Sequence, residues 1–185
     1  MKGFFITGTD TGVGKTWMTA ALIHALAGHG YRVAGMKPLA CGGHSTSEGW
    51  RHQDAELLMQ HANVTLPYES VNPYLLREPV APHIAAAQVG LRLSAAALHE
   101  VCTTLEEEMD YVLIEGVGGW EVPLSDDETT AQFARLLGLP VIMASASFLI
   151  LPFSRASMSS MISLVLPVNL VKPSGVWLTV SRNFL

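Results

Sequence analysis

Nine consecutive residues carry the clearest chemistry in this chain: Gly8-Thr9-Asp10-Thr11-Gly12-Val13-Gly14-Lys15-Thr16. A glycine-rich turn ending in Gly-Lys-Thr lets backbone N–H groups converge on an anion, with the positive end of the following helix behind them. In such a loop Lys15 reaches the β- and γ-phosphates of a nucleoside triphosphate, and the Thr16 hydroxyl sits on Mg2+. The strict pattern has a glycine at position 9; Thr9 stands there, and the glycine comes one residue earlier, at Gly8. A dinucleotide-binding fingerprint is excluded. Gly12-x-Gly14 lacks the third glycine, Trp17 occupying that place.

Two more polar residues stand at the ends of apolar runs. Lys37 follows residues 31–36, and Glu115 follows Tyr111-Val112-Leu113-Ile114. A carboxylate ending an apolar strand beside a phosphate loop suits Mg2+, usually through the metal's hydration shell; the plainer reading is a solvated strand end. Lys37, followed at once by Pro38 and a glycine-rich stretch, reads as an active-site lysine. Asp54 taken alone is an acid near a helix start, where the helix dipole favours it anyway. Cys41, His44, His52 and His61 do not have the spacing of a compact zinc site. Cys41 reads instead as a small polar side chain able to touch substrate, and His83 as a capping or packing residue.

These residues need strands and helices to bring them together. Residues 2–7 read as a buried strand, 15–27 as the first helix, ending at Gly28 and Gly30, and 31–36 as a second strand. That order makes a parallel, right-handed βαβ unit. Residues 41–49 are Gly/Ser/Thr-rich and read as loop, and 50–62 as helix. Residues 65–82 hold four prolines and read as extended or turning, with Val71-Asn72-Pro73-Tyr74 as a short strand. A short helix over 83–89 and a longer one from its Ser94 cap to about residue 109 follow. Then come a strand at 111–114, a loop at 117–127, a helix at 129–137 and a strand beginning at Pro140. The fold class expected is α/β, a parallel sheet with flanking helices of the P-loop NTPase type, with ligands at the C-terminal ends of the strands.

Bulk properties narrow the function. A chain of 185 residues is one domain's worth, and its net charge of −5 argues against a nucleic-acid partner. Two cysteines, Cys41 and Cys102, suit a reducing compartment. No window is long and apolar enough for a membrane span or a signal peptide, so the expectation is a cytoplasmic protein with no membrane partner.

The combination of Gly8–Thr16, Gly35-Met36-Lys37-Pro38 and Asp54 resembles dethiobiotin synthetase. So do Val71-Asn72-Pro73-Tyr74, Ala81-Pro82-His83 and Glu115-Gly116-Val117-Gly118-Gly119-Trp120. The matches run in order over residues 1–143. Partitioning-type relatives of the loop carry a second lysine, where this chain has Asp10. The resemblance implies a Mg2+- and ATP-dependent ligase that closes the ureido ring of dethiobiotin from 7,8-diaminononanoate and CO2, as a homodimer. It implies Lys15, Lys37 and Thr11 as catalytic residues, with Gly12, Val13, Gly14, Lys15, Thr16, Glu115 and Gly118 on the nucleotide. It also implies Thr16, Asp54 and Glu115 on Mg2+, and Cys41 with Lys37 on substrate. A nucleotide-binding switch of the partitioning or metal-insertion type, or an inactive truncated ligase, is the alternative.

After Met143 the resemblance stops. The family would continue into a Leu-Gly-x-x-Asn-His motif that binds substrate carboxylate across a dimer, and later an Asn-Asp pair that grips adenine. Here the sequence reads Ala144-Ser145-Ala146-Ser147-Phe148, and residues 129–185 contain no Asp or Glu. The expectation is one domain over 1–185 whose part 144–185 is atypical: a tail from a shifted reading frame near Ala144, or else a truncated or diverged half with strands near 148–151 and 164–168. On the first reading the sheet edge beside the last family strand is unpaired, and ligase turnover is weak or absent.

Overall fold

The computed structural model describes residues 1–105, 108–145, 161–162 and 177–181. The chain begins with β1 (Gly3–Gly8), α1 (Lys15–Gly28), β2 (Val33–Met36), β3 (Leu39–Cys41), β4 (His44–Thr46), β5 (Gly49–Arg51) and α2 (Gln53–His61). It continues through α3 (Tyr68–Val71), β6 (Tyr74–Leu76), α4 (Pro82–Gln88), α5 (Ala95–Thr103), β7 (Tyr111–Glu115), α6 (Thr130–Leu137) and β8 (Val141–Ser145). Two further strands are β9 (Met161–Ile162) and β10 (Trp177–Ser181). The main sheet has the order β2-β7-β1-β8-β10-β9. Its first four strands are parallel, as expected for strands joined by helices, and β10 runs antiparallel to both β8 and β9. β7 therefore stands between β1 and β2.

The pleat decides which helices each strand residue meets, because successive side chains point to opposite faces. Phe5, Met36, Val112 and Ile114 pack with Leu98, Cys102, Phe133 and Leu137 of α5 and α6. Ile6, Val33, Leu113 and Ile142 pack on the other face with Met18, Ile23 and Leu58 of α1 and α2. Gly35 belongs by parity to this second face. A Cβ there would lie 2.7 Å from Ile23 Cδ1 and 3.0 Å from Leu58 Cβ, so its bare backbone is what lets both helices close on the sheet.

The termini of the helices follow from local chemistry. Ser94 caps α5 by accepting from the Ala97 N–H, and Thr129 and Gln132 form a reciprocal capping box on α6. Gly138 ends α6 at φ 62°, a left-handed conformation that favours glycine.

Several local expectations are corrected. Residues 41–49 are not simply loop: β3 ends at Cys41, and β4 pairs with β5 in a hairpin with His44 opposite Arg51. Gly49 at φ 116° and the Thr46 hydroxyl donating to its carbonyl allow that tight turn. Trp50 thus lies in a strand, and α2 starts at Gln53. The proline-rich stretch 65–82 holds a helical turn, α3, and then β6, so Val71 ends a helix rather than starting a strand. α5 stops at Thr103, short of residue 109; the hydroxyls of Thr103 and Thr104 donate to the carbonyls of Glu100 and Val101. The edge of β8 is paired with β10 rather than open. The strands expected near 148–151 and 164–168 lie outside the described residues. Among the described residues no helix is long and apolar enough to cross a membrane.

Filling the space above Gly35 tests this packing. Gly35→Val should lower stability by about 1–3 kcal/mol through overpacking against Ile23 and Leu58, read as a drop in the midpoint of chemical unfolding at unchanged slope.

Candidate active site

Strand register and pleat parity together build the site. Met36 lies opposite Ile114 and Ile6 opposite Glu115, so Lys37, one residue on, comes level with Glu115 across the sheet. Glu115 shares its face with Leu113, and Lys37 shares its face with Gly35 and Val33. Both side chains thus point to the layer of α1 and α2, where Thr16 and Asp54 stand in the first turns of those helices. Lys37 Nζ donates to Glu115 Oε1 at 2.7 Å, to Asp54 Oδ2 at 2.8 Å and to the Gly116 carbonyl at 3.1 Å. Thr16 Oγ1 lies 3.0 Å from the same Glu115 oxygen.

Glu115 is fully buried and Lys37 nearly so, whereas the Asp54 side chain is 32% exposed. Burial by itself would lower the Lys37 pKa, but the Glu115 and Asp54 carboxylates overcome it and hold the ammonium above its ordinary value. Burial would likewise raise Asp54, and Lys37 reverses that and holds its carboxyl low. Lys15 goes the other way. Its burial, with the Lys37 charge nearby, lowers its pKa, and its Nζ donates to the Asp10 carbonyl at 2.8 Å.

The phosphate loop has the backbone its glycines predict. Gly12 and Gly14 have φ 75° and 92°, the latter at the N-cap of α1. The shifted glycine has a reason too: a Cβ at Gly8 would lie 2.6 Å from Val13 Cγ2 and 3.1 Å from the Ala144 carbonyl. Thr9 donates its N–H to that same carbonyl at 3.0 Å, joining the loop to β8. Gly118 lies against Thr11, where any Cβ would collide with the threonine hydroxyl. The 116–119 segment is tied down as well, Thr7 Oγ1 donating to the Gly119 carbonyl at 3.1 Å. Of the residues expected at the site, Thr16, Lys37, Asp54 and Glu115 form one hydrogen-bonded cluster, and Lys15, Thr11 and Gly118 adjoin it through the loop.

Cys41 is at the end of β3, half-buried and within electrostatic range of Lys37. Burial pushes its thiol up to about 11, more than the lysine lowers it, so it is a neutral, weak donor. His44 Nε2 lies 3.4 Å from Glu56 Oε2, and His52 caps α2 by accepting from the Asp54 N–H. His83 stands in the first turn of α4, whose Ala85 and Ala86 pack into the α5 and α6 face.

The donor set fits Mg2+. Glu115 Oε2 is buried with no hydrogen-bond partner, and the Thr16 hydroxyl and the Asp54 carboxylate meet the same lysine–glutamate cluster. Among the described residues no three or more His, Cys, Asp or Glu side chains gather into a cage. Two carboxylates and a hydroxyl are the set for a hard cation that keeps water and phosphate oxygens as its other ligands.

Tyr68 carries no signal in the sequence, and Asn72 enters it only as part of Val71-Asn72-Pro73-Tyr74; both stand near this cluster, as does His52, set aside above as a zinc ligand. Asn72, buried, donates Nδ2 to the Lys37 carbonyl at 2.6 Å and accepts from the Tyr68 hydroxyl at 2.9 Å.

The sequence model of the AAA domain family matches residues 2–150. The chain belongs to that family. Among curated proteins, the "ATP-dependent dethiobiotin synthetase BioD" of Pseudomonas paraeruginosa is 46% identical over 144 residues, 77% of this chain and 63% of that protein. The protein of the same name from Vibrio vulnificus is 45% identical over 143 residues, with the same two shares. The "ATP-dependent dethiobiotin synthetase BioD 1" of Escherichia coli O157:H7 is 45% identical over 142 residues. The chain spans 63% of the length of these relatives. The likeness to dethiobiotin synthetases read from the motifs is thus found over most of the chain.

Two outcomes are expected from this geometry. Lys37→Met leaves Glu115 buried without its countercharge and should destabilise the metal-free protein by about 3–5 kcal/mol, with added Mg2+ restoring part of it in thermal melts. The stabilising pair has a definite pH window. The Lys37 contribution, from a raised pKa, is fully present below the ordinary lysine value of 10.5 and lost as the pH climbs beyond it; the Asp54 contribution, from a lowered one, is present above the ordinary 3.8 and lost in stronger acid. The wild-type advantage over Lys37→Met should therefore be flat through neutral pH and shrink at both ends. Separately, Cys41 should react with iodoacetamide far more slowly at pH 8 than a free thiol does, accelerating only as the pH nears 11. Peptide mass spectrometry reads that rate.

Proposed function

We propose that the chain closes the ureido ring of dethiobiotin from 7,8-diaminononanoate, CO2 and ATP, within biotin biosynthesis. The observation that carries the reading is the second buried ammonium. A phosphate loop that only binds a nucleotide needs Lys15; Lys37, held at 2.7 Å from Glu115 beside Thr16, is a further cation where an anionic acceptor would meet a γ-phosphate. The names of the similar relatives point the same way.

The reaction balances in three steps. One amine attacks CO2, loses a proton and becomes a carbamate. A carbamate oxygen attacks the γ-phosphorus of ATP, the bond to ADP breaks, and a carbamic-phosphoric anhydride forms. The second amine adds to the carbamoyl carbon, phosphate leaves, and the ring closes. Two anions must approach each other in the middle step, and fixed cations in a dry site are the largest available help. Lys15 binds the β- and γ-phosphates, and Lys37 stands where the carbamate and the γ-phosphate meet. Gly12, Val13, Gly14 and Thr16 present N–H groups to the phosphates, while Thr11 and Gly118 line the loop against which they lie. Thr16, Asp54 and Glu115 would hold Mg2+, which would supply charge neutralisation for the phosphates. Cys41 touches the diamine as a neutral group. Action as a homodimer in the cytoplasm belongs to the same proposal.

The test is dethiobiotin formation, followed by mass spectrometry, from Mg·ATP, bicarbonate and the diamine, with monoamines as controls. The expected result is product that requires both bicarbonate and the diamine. The rate should be weak, because residues 144–185 carry none of the family's adenine- and carboxylate-binding motifs. With excess Mg2+ present, Lys37→Ala should cut it by about 100- to 1,000-fold while nucleotide affinity changes little. Hydrolysis of ATP that ignores the diamine and survives Lys37→Ala would point to a nucleotide switch instead.

A further inference from the structure

A closed ring of hydrogen bonds leaves Lys37 through its main chain and returns to it through its side chain. The Asp54 N–H donates to His52 Nδ1 at 3.2 Å, and the His52 N–H donates to the Tyr68 hydroxyl at 2.8 Å. Tyr68 donates to Asn72 Oδ1 at 2.9 Å, and Asn72 Nδ2 donates to the Lys37 carbonyl at 2.6 Å. Lys37 Nζ closes the circuit on Asp54 Oδ2 at 2.8 Å. Every donor points the same way around. Polarisation passes through the Tyr68 hydroxyl and the Asn72 amide, so the three links from His52 to the Lys37 carbonyl reinforce one another, while the remaining links tie the circuit sterically.

We propose that Tyr68 and Asn72 are positioning residues for Lys37, setting its backbone so that its ammonium stays registered against Asp54 and Glu115. Their effect on turnover rests on the ligase reading; their effect on Lys37 itself does not. Lys37 sits just past β2, where the sheet no longer holds its backbone, and Pro38 follows it. Asn72 takes over there, gripping the Lys37 carbonyl, while the Lys37 N–H donates to the Val71 carbonyl at 2.8 Å and the Tyr74 N–H to the Pro38 carbonyl at 3.1 Å. Asn72 is 3% exposed and Tyr68 9%, so water does not compete for these bonds. Tyr68 is steadied in turn by Ala55 and Val71 around it and by the Arg51 guanidinium 4.1 Å above its ring. Burial holds the Tyr68 phenol above its ordinary value, so it keeps the proton it donates to Asn72.

Tyr68→Phe deletes two links and keeps the ring under Arg51; Asn72→Ala deletes the grip on Lys37 directly. Partners of this outer kind typically cost about 10- to 100-fold when removed. Each variant should lower kcat by that factor and leave KM for Mg·ATP within about twofold, since Lys15 and Thr16 are untouched. Because both act through one chain, the double variant should lose little more than the worse single one. A second readout needs no turnover: acetylation of Lys37 by acetic anhydride, measured relative to Lys2 by peptide mass spectrometry, should rise several-fold in both variants. Melting curves identify any variant that fails to fold, and the other variant then carries the test. Wild-type Lys37 labelling in a folded Tyr68→Phe, or a lower melting temperature with unchanged kcat, would overturn the proposal and leave the ring a structural tie. Absence of diamine-dependent turnover in the wild type would overturn the ligase reading alone, and the labelling ratio would then decide the positioning role.

Discussion

A carboxylate with no exposed surface must have its charge answered, and in this chain the Lys37 ammonium answers Glu115. Without a partner, an ion in such a place loses more in desolvation than the fold can spare. The pair is therefore as much a constraint on the fold as a feature of the site. It demands that the end of β2 and the end of β7 stay level, that both side chains take the α1 and α2 face, and that α2 bring Asp54 close enough to share the charge. Each of these demands is met by something local: the register of Met36 on Ile114, the pleat, and the N-cap that His52 makes for α2.

Glycine does the spatial part of this work. The bare face of Gly35 lets Ile23 and Leu58 settle on the sheet one residue before Lys37, which brings α1 and α2 close enough for Thr16 and Asp54 to reach the strand ends. At Gly8 and Gly118 the backbones of the phosphate loop and the 116–119 segment approach their neighbours more closely than a methyl group would permit. The site is thus built from close main-chain approaches, and the few long polar side chains fill the space those approaches leave.

How much of this could be read beforehand depends on distance along the chain. The phosphate loop is local, so its glycines, its lysine and the helix after it were legible at once. Lys37 and Glu115 were legible as residues at strand ends, because an apolar run announces its own limit. Asp54 was not, except through the family likeness: its role depends on which face of the sheet α2 covers, and one strand, β7, inserts between β1 and β2 from far along the sequence. The same reason hid Tyr68 and Asn72, whose partner Lys37 lies beyond the β4–β5 hairpin and α2. The hairpin itself was hidden because its strands, His44-Ser45-Thr46 and Gly49-Trp50-Arg51, are too short to show an alternating pattern and lie in a Gly/Ser/Thr-rich stretch. α3 was lost because Pro67 and Pro73 bracket it, and proline marks extended chain more often than a single helical turn.

The site holds two lysines, Lys15 and Lys37. They share one neighbourhood yet shift in opposite directions, Lys37 up and Lys15 down. Lys37 has carboxylates in direct contact, so its charge is already matched. Lys15 also has little exposed surface, but it is less deeply enclosed, feels the same carboxylates only at a distance, and sends its hydrogen bond to the Asp10 carbonyl. A carbonyl dipole answers an ammonium less completely than an anion does. A phosphate group placed in the loop would supply what Lys15 lacks without disturbing what Lys37 already has. On the proposed reading the two cations divide the labour: Lys37 is held by the protein's own acids, and Lys15 is left for the phosphate to satisfy.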